Sequence, residues 1–341
     1  MRAFVTGGTG LLGSNLVRQL LQEGHAVTVL ARSQQKAAQV FAGLDVAIVT
    51  GDLADIAAFA PHLAGHDTVF HTAAYFREYY QPGDHWPTLK AFNIDATMAL
   101  LRAAEAYGVR RVVHTSSSGT LGKANPATEA TPPDELVFSN LYFRSKLEAD
   151  QAIDAFLAHG TPLEVVRVLP GWMFGPGDSA PTSAGQIILS LLNRELPVIM
   201  PGYGNVTDAR DVADGMIRAA LHAPNGARYL LANPQLFSFA EIFREVEALS
   251  GVATPRIQAP RWFAYAYGWV SETYGRLTGR PVLATLAGVE TLIDPHPLSS
   301  ALAVAELGVS FRPLRDTLHD TIAWFRATRP DLLRTPDRAA A

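Results

Sequence analysis

A strand that breaks off at a cluster of glycines and restarts as a helix leaves a chain few choices of fold. Residues 4–21, FVTGGTGLLGSNLVRQLL, have this form. Phe4 and Val5 close a short apolar run, and beyond the glycines Leu12, Leu16, Val17 and Leu20 recur at helical spacing. Between them Gly8, Gly10 and Gly13 stand in G-x-G-x-x-G spacing. The same stretch also reads as T-G-x-x-G-x-x-G from Thr6, Gly7, Gly10 and Gly13. Without a Cβ, the early glycines permit a tight turn and a close approach of backbone to a pyrophosphate, and Gly13 lets the helix lie against the strand. The free N–H groups of the helix start then meet the phosphates. Alone, the spacing matches any glycine-rich turn; following a first strand and opening a helix, it points to a dinucleotide.

The rest of the chain repeats the alternation. Apolar and β-branched runs at 2–6, 26–31, 45–50, 67–72, 110–115 and 163–169 predict strands, and helical spacing falls at 11–23, 55–64, 92–107 and 139–158. This is the pattern of a parallel sheet covered on both faces. Past Pro170 the order loosens, with helices expected at 183–193, 209–222, 238–249, 261–278 and 313–327. The expected division is a dinucleotide-binding domain over 1–174, with 205–232 returning to it, a substrate domain over 175–204 and 233–330, and a frayed tail over 331–341.

Composition removes several functions. A net charge of -4, with no run of like charges, gives no field for a phosphate backbone, so nucleic acid is not expected as a partner. With no cysteine there is neither disulfide nor thiolate chemistry. His62 and His66 lie four apart, but two imidazoles alone make a poor metal site, and none is expected. The opening MRAFVTGG runs straight into strand and glycines, and no uncharged apolar stretch reaches membrane-spanning length. The expectation is a cytoplasmic protein without a membrane partner.

About twenty residues past the glycines, an acid would bond the ribose 2′-hydroxyl of NAD, whereas an arginine accommodates the 2′-phosphate of NADP. This chain has Arg32, followed by Ser33. NADP is the expected cofactor; a solvated arginine beside bound NAD is the other reading. Asp52, after the third strand, suits either the adenine amino group or the cap of the next helix.

A second motif carries chemistry. In NLYFRSKLEADQA, Tyr142 and Lys146 lie four apart on a predicted helix and project from one face. The chain has ten tyrosines, and no other has lysine at the fourth position. An ammonium ~4 Å from a phenol at an effective dielectric of ~20 contributes ~4 kcal/mol, up to ~3 pKa units, bringing the phenol toward neutral pH. The fifth strand ends in RVVHTSSSGTLG, which places three serines at the carboxyl edge of the sheet. One hydroxyl there can hydrogen-bond a substrate carbonyl. His71 and His114 are expected to pack within strands.

Taken together, T-G-x-x-G-x-x-G, a serine strand end and Y-x-x-x-K resemble the extended short-chain dehydrogenase/reductase family. VFHTAA, FNIDATMALLRAA, RVLPGWMFGPGD and ALAVAELGVSFRPLRDTLHDTIAWF are similar to its later landmarks, in order, over nearly the whole chain. The resemblance implies a Rossmann-type doubly wound α/β sheet with a smaller, mostly helical C-terminal substrate domain. It implies Tyr142 as acid-base, Lys146 on the nicotinamide ribose, and Ser117 as the catalytic serine, 25 positions before Tyr142, with Ser118 the nearest rival. Asn93 matches the family's asparagine near the lysine, or simply starts a helix. Dinucleotide contacts are implied at Gly7, Thr9, Gly10, Leu11, Leu12 and Gly13, at Arg32, Asp52 and Leu53, at Thr72, Ala73 and Ala74, and at Tyr142, Lys146, Pro170 and Gly171. Members often form homodimers through the helices that match 92–107 and 139–158.

Three functions remain open at this point: an NADPH-dependent reductase of a carbonyl on a small apolar substrate, a nucleotide-sugar epimerase or dehydratase with bound NAD, and a dinucleotide-binding regulator without turnover. An intact Ser117, Tyr142 and Lys146 disfavours the last. A sugar diphosphate needs cations. Where the epimerases place arginines, this chain has GYGNVT and IDPHPLSS, with His296 in the second, and Arg210, Arg256 and Arg261 are the substitutes to consider. In APRWFAYAYGWVSETYGRL, Trp262, Tyr265 and Trp269 share one helical face, with Phe263, Tyr267 and Tyr274 near another. One face is expected to pack in the core and the other to line an apolar pocket, join a subunit interface or lie on a membrane surface, the last disfavoured because the helix lacks a strongly basic polar face. AYFREYYQPGDHW, residues 74–86, reads as a loop over the site.

Overall fold

The computed structural model describes residues 1–76, 85–278, 282 and 286–334. The amino-terminal alternation folds as β1 (Arg2–Thr6), α1 (Leu11–Gln22), β2 (Ala26–Ala31), α2 (Gln34–Val40), β3 (Ala47–Thr50), α3 (Ile56–Phe59) and β4 (Thr68–His71). It continues through α4 (Trp86–Leu89), α5 (Ala96–Ala106), β5 (Arg111–Thr115), α6 (Glu135–Ser139), α7 (Leu141–Ala158) and β6 (Glu164–Pro170). Then come β7 (Trp172–Phe174), α8 (Ser183–Leu192), β8 (Tyr203–Gly204), β9 (Val206–Asp208), α9 (Ala209–His222), β10 (Arg228–Leu231) and β11 (Phe237–Ser238). The carboxyl-terminal part is helical: α10 (Phe239–Ser250), α11 (Arg261–Thr278), α12 (Leu286–Ile293), α13 (Ala301–Leu307) and α14 (Leu314–Thr328).

Among the described residues the central sheet has seven parallel strands in the order β10-β6-β5-β4-β1-β2-β3. The order reverses between β1 and β4, and the crevice outside their carboxyl ends is where such sheets bind ligands. Alternation along each strand feeds two cores. Val5, Phe70, Val113 and Val166 meet Leu16, Val17 and Leu20 of α1 and Val212 and Met216 of α9. Phe4, Val69, Val112 and Val165 meet Leu100, Leu101 and Ala104 of α5 and Ile153 of α7. Each fully buried phenylalanine or valine contributes roughly 1.5–3 kcal/mol relative to exposure. A third core, with Phe174, Ile188, Phe239, Phe243, Ile322 and Phe325, joins α8, α10 and α14 beside the sheet.

The six expected strands are present within one or two residues at their ends. The seventh, Arg228–Leu231, pairs with β6; four residues opening on an arginine gave too short a run to register. The helix expected over 55–64 tightens into a 3-10 turn, Ala60–Leu63, where Pro61 removes a donor. The one expected over 92–107 begins earlier, as α4, and passes through a wide π turn, Lys90–Asp95, before α5. The one expected over 139–158 breaks at Asn140, whose side chain caps α7 by accepting from the N–H groups of Tyr142 and Phe143 at 3.1 and 3.2 Å.

The aromatic helix needs correction. On α11 neither aromatic face enters the core: Trp262 and Trp269 are 70% and 60% exposed, and Phe263, Tyr265, Tyr267 and Tyr274 are exposed as well. Among the described residues the buried ones on the helix are Ala264, Gly268 and Gly275, all small, and α12 packs against the helix. Of the loop expected over 74–86, residues 77–84 lie outside the described residues, as do 335–341 of the tail.

Candidate functional site

The glycine loop fits a pyrophosphate for reasons visible within it. Gly7 takes φ +72°, and a Cβ there would sit 2.6 Å from the backbone nitrogen of Ala73 and 2.7 Å from Thr72 Oγ1. A Cβ on Gly13 would lie 2.3 Å from the Gly7 carbonyl oxygen, so α1 starts in contact with the turn itself. Gly10 differs: its Cβ would meet nothing closer than the Gly7 oxygen at 3.4 Å. Packing within the chain does not require glycine at position 10; close approach by a ligand would. Thr9 and Gly10 are half-buried, and Leu11 and Leu12 anchor the helix start in the core. Thr72 donates its hydroxyl to the Thr6 carbonyl at 2.7 Å, which brings Thr72, Ala73 and Ala74 beside the loop. The cradle and the unbonded first-turn N–H groups of α1 suit a dinucleotide phosphate.

At the end of β2, Arg32 is exposed, and Ser33 caps α2 by accepting from the Lys36 N–H at 3.2 Å. Asp52 accepts from Ala54 N–H at 2.9 Å, but the cap of α3 is Asp55, which accepts from Ala58 N–H. The cap expected of Asp52 therefore belongs three residues on. Leu53 is buried in the second core.

Tyr142 and Lys146 occupy successive turns of α7, held by the Asn140 cap. Tyr142 is half-buried, with the ring of Phe76 edge-on at 4.7 Å between centroids. Lys146 is 2% exposed and donates from Nζ to the Thr115 carbonyl at 2.8 Å. Burial lowers its pKa to about 8, and the neighbouring Asp150 carboxylate acts in the opposite direction. Ser116 is committed below the site, donating to Asp150 Oδ2 at 2.8 Å. Ser117 is half-buried and extended, and its oxygen accepts from Gly119 N–H at 3.1 Å. Ser118 is half-buried too, so exposure does not separate it from Ser117. Asn93 does not start a helix. It lies inside the π turn, fully buried, with Oδ1 accepting from Tyr75 N–H at 2.9 Å and Nδ2 donating to the Tyr75 carbonyl at 3.2 Å and to Ser145 Oγ at 2.9 Å. It thereby ties the end of the β4 loop to the turn between Tyr142 and Lys146. Pro170 ends β6, and Gly171 packs where a Cβ would meet Thr207 and Ala232 at 2.7 and 2.9 Å.

His71 and His114 are buried in strands. Thr97 gives its proton to the Asn93 carbonyl, so it accepts from His71 Nε2–H, and His71 Nδ1 in turn accepts from Thr6 Oγ1. Desolvation, then the Lys146 charge, lowers the His71 pKa to about 3; the same causes hold His114 well below its usual value. Both rings are neutral.

The substitute arginines are already engaged. Arg210 binds Asp208 and Asp320, each at 2.7 Å; Arg256 binds Glu247 at 2.6 Å; Arg261 binds Asp294 at 2.7 Å. His296 is partly buried, and desolvation lowers its pKa, leaving it neutral at pH 7. Sequence reasoning missed Asp150, Ser116 and Ser145. The signal for Asp150 was its place four residues after Lys146.

The family model described as the NAD dependent epimerase/dehydratase family matches residues 3–232. The chain is 30% identical over 332 residues to a putative dihydroflavonol 4-reductase of Synechocystis sp., covering 95% of this chain and 94% of that one. It is also 30% identical over 331 residues to sterol demethylase protein B of Methylococcus capsulatus, covering 96% and 98%. The crystal structure of gox2253 superposes with a TM-score of 0.82 at 30% identity, covering 96% of this chain and 98% of that one.

Proposed function

Because the chain belongs to the NAD dependent epimerase/dehydratase family, and is thus an enzyme of the extended short-chain dehydrogenase/reductase type, we propose that it reduces a carbonyl on a small, largely apolar substrate, with NADPH as donor. One observation carries the choice among the family's chemistries: the three arginines nearest to replacing the diphosphate-binding pair are each held by a carboxylate. A substrate phosphate would have to compete with these carboxylates, at most cost at part-buried Arg210, which holds both Asp208 and Asp320; the Arg256 and Arg261 pairs are exposed, and their acids would keep Thr254 and Lys123. The names of the two relatives, a flavonol-type reductase and a sterol-processing protein, agree with an apolar substrate.

In this reading Gly7, Thr9, Gly10, Leu11, Leu12 and Gly13 hold the pyrophosphate, with Thr72, Ala73, Ala74, Asp52 and Leu53 along the adenosine half and Pro170 and Gly171 along the nicotinamide. Arg32 takes the 2′-phosphate, where a carboxylate would repel it. The reduced nicotinamide supplies the hydride. Ser117 hydrogen-bonds the carbonyl oxygen, and Tyr142 gives that oxygen its proton. Lys146 holds the ribose hydroxyls and, as an ammonium, lowers the cost of leaving a tyrosinate. Asn93 keeps the Tyr75 backbone and Ser145 fixed on either side. The same reading places the protein in the cytoplasm as a homodimer through the α5 and α7 face, with residues 1–174 and 205–232 as the dinucleotide unit and 175–204 with 233–330 over the substrate.

The test is an NADPH oxidation screen over aromatic, steroid-like and aliphatic carbonyls, run beside calorimetry with UDP-, GDP- and dTDP-sugars. Reduction of one carbonyl class, with no sugar binding, is the expected result. Micromolar binding of a nucleotide sugar together with its epimerised product, on bound NAD, would establish the other chemistry that the family description names.

A further inference from the structure

Beneath the Tyr142–Lys146 pair, the sheet interrupts its own apolar alternation. Thr6 pairs in register with His71, His71 with His114, His114 with Arg167, and Arg167 with Arg228. Register partners share a face, so these five side chains form one row across five strands. Two residues earlier, the same face carries Phe4, Val69, Val112 and Val165. The apolar layer thus gives way to a polar one just before the carboxyl edge. Thr6, His71, His114 and Arg167 are all buried, where a polar row costs free energy unless each group serves another.

One carboxylate lies against this row. Asp150, buried on α7, takes Ser116 Oγ–H at 2.8 Å and stands 3.6 Å from Arg228 Nη2, and its backbone carbonyl accepts from Arg167 Nη1 at 3.1 Å. Arg167 also binds Asp154, one turn further along α7, at 2.7 Å. Lys146 is one turn before Asp150 on the same helix, with its Nζ bonded to the Thr115 carbonyl directly after His114. The groups that bear on the two are thus Thr115 at the end of β5 and Ser116 after it, the neutral rings of His71 and His114, the cations Arg167 and Arg228, the acid Asp154, and the Tyr142 phenol. Two arginines compete with Lys146 for a single buried acid.

We propose that Asp150 is a positioning residue for Lys146: its carboxylate keeps the buried ammonium charged, and Arg228 limits how much of that support Lys146 receives. This deepens the reading of Tyr142 and Lys146 given above and rests on it. Even with Asp150 beside it, burial leaves the Lys146 pKa lowered to about 8, so its charge near neutrality depends on that support. Asp150 raises that pKa, and removing its charge lowers it further; removing Arg228 frees Asp150 and takes away a like charge, which raises it.

The opposed signs make the test. Asp150→Asn should move the alkaline limb of kcat/KM, as the limb that reports loss of the Lys146 charge, to lower pH by about one unit or more. Arg228→Gln should move it up, by a smaller amount. Asp150→Glu, which keeps the charge, should return the limb toward its starting place. Ultraviolet difference titration of Tyr142 in the cofactor-free protein, with the Tyr142→Phe profile subtracted, reads the same coupling without any substrate. There the phenol should ionise at higher pH in Asp150→Asn and at lower pH in Arg228→Gln. Melting temperatures can fall in both variants without bearing on this, since all these groups also tie α7 to β6 and β10. Shifts of the same sign, or lowered melting temperatures with no shift in limb or phenol, would reduce Asp150 to a structural tie and overturn the proposal. If no carbonyl is reduced by the unmodified protein, the reaction assignment fails while the phenol titration still decides the role of Asp150.

Discussion

Helices α7 and α11 are each 18 residues long, and they reverse the usual relation between composition and burial. Helix α7 buries Ser145, Lys146 and Asp150, while α11 buries Ala264 and leaves two tryptophans in solvent. What lies opposite decides the outcome. Under α7 the sheet offers a backbone carbonyl, a serine and two guanidinium groups, so Lys146 Nζ and one Asp150 oxygen find partners, while Asp150 Oδ1 and both His114 ring nitrogens have no hydrogen bond among the described residues. Against α11, small residues form the inward stripe and the aromatic rings are left on the outside. A helix's own residues name its candidate faces; its neighbours choose among them.

The comparison breaks most sharply at Tyr142. Tyr142→Phe should lower turnover by about 10²–10⁴-fold while dinucleotide affinity stays nearly unchanged, measured by NADPH oxidation and fluorescence titration. Retention of near-native turnover would mean that α7 carries no acid-base residue. Lys146→Met should lose turnover, weaken cofactor binding and lower the melting temperature as well, since it takes the Nζ donor from the Thr115 carbonyl and a counter-charge from buried Asp150. Outside both helices, Arg32→Asp should reverse a preference for NADPH over NADH, and the preference should shrink as salt rises. Equal affinities in the unmodified protein would leave Arg32 a solvated strand end.

Acid should strain the buried histidine row beneath α7. Desolvation and the Lys146 charge lower the His71 pKa to about 3 in the fold, against about 6.5 for a free imidazole, so the unfolded chain binds more protons in between, and stability falls as pH drops from 6.5 toward 3. His71→Gln should flatten that decline in denaturant titrations; an unchanged slope would remove the histidine from the account. On α11 the effects are smaller. Ala264→Leu should cost about 1–3 kcal/mol by crowding the small-residue stripe, while Trp269→Gln should stay within about 0.5 kcal/mol. A large loss at Trp269 would show that a second surface covers it.

The parts legible in the sequence were those encoded locally. The glycine turn, six strands and the Tyr142–Lys146 spacing each lie within a short window, where periodicity and motif suffice. The row from Thr6 to Arg228 was not legible, because His71, His114 and Arg167 look like isolated polar residues in separate strands. Only lateral register brings them together, and register is a property of five segments at once. Asp150 was overlooked for the same reason: its partners come from β5, β6 and β10. For α11 the periodicity of the aromatics was right and its interpretation wrong, since small residues at the same period served as the buried face.

The wide turn at Lys90–Asp95 has a consequence for how the chain tolerates insertion and deletion. A π turn carries one residue more than an α turn over a similar rise, so it absorbs a surplus residue without displacing α5. Each residue turns a helix by about 100°. Deleting one between 90 and 95 would restore regular winding with α4 and α5 left nearly in place, and would carry Asn93, within the turn, off the line between Tyr75 and Ser145. The helix would be more regular and the clamp would be gone. Length, as much as residue identity, is therefore under constraint in this segment, and a shortened chain there would keep every named side chain of the site yet lose its alignment.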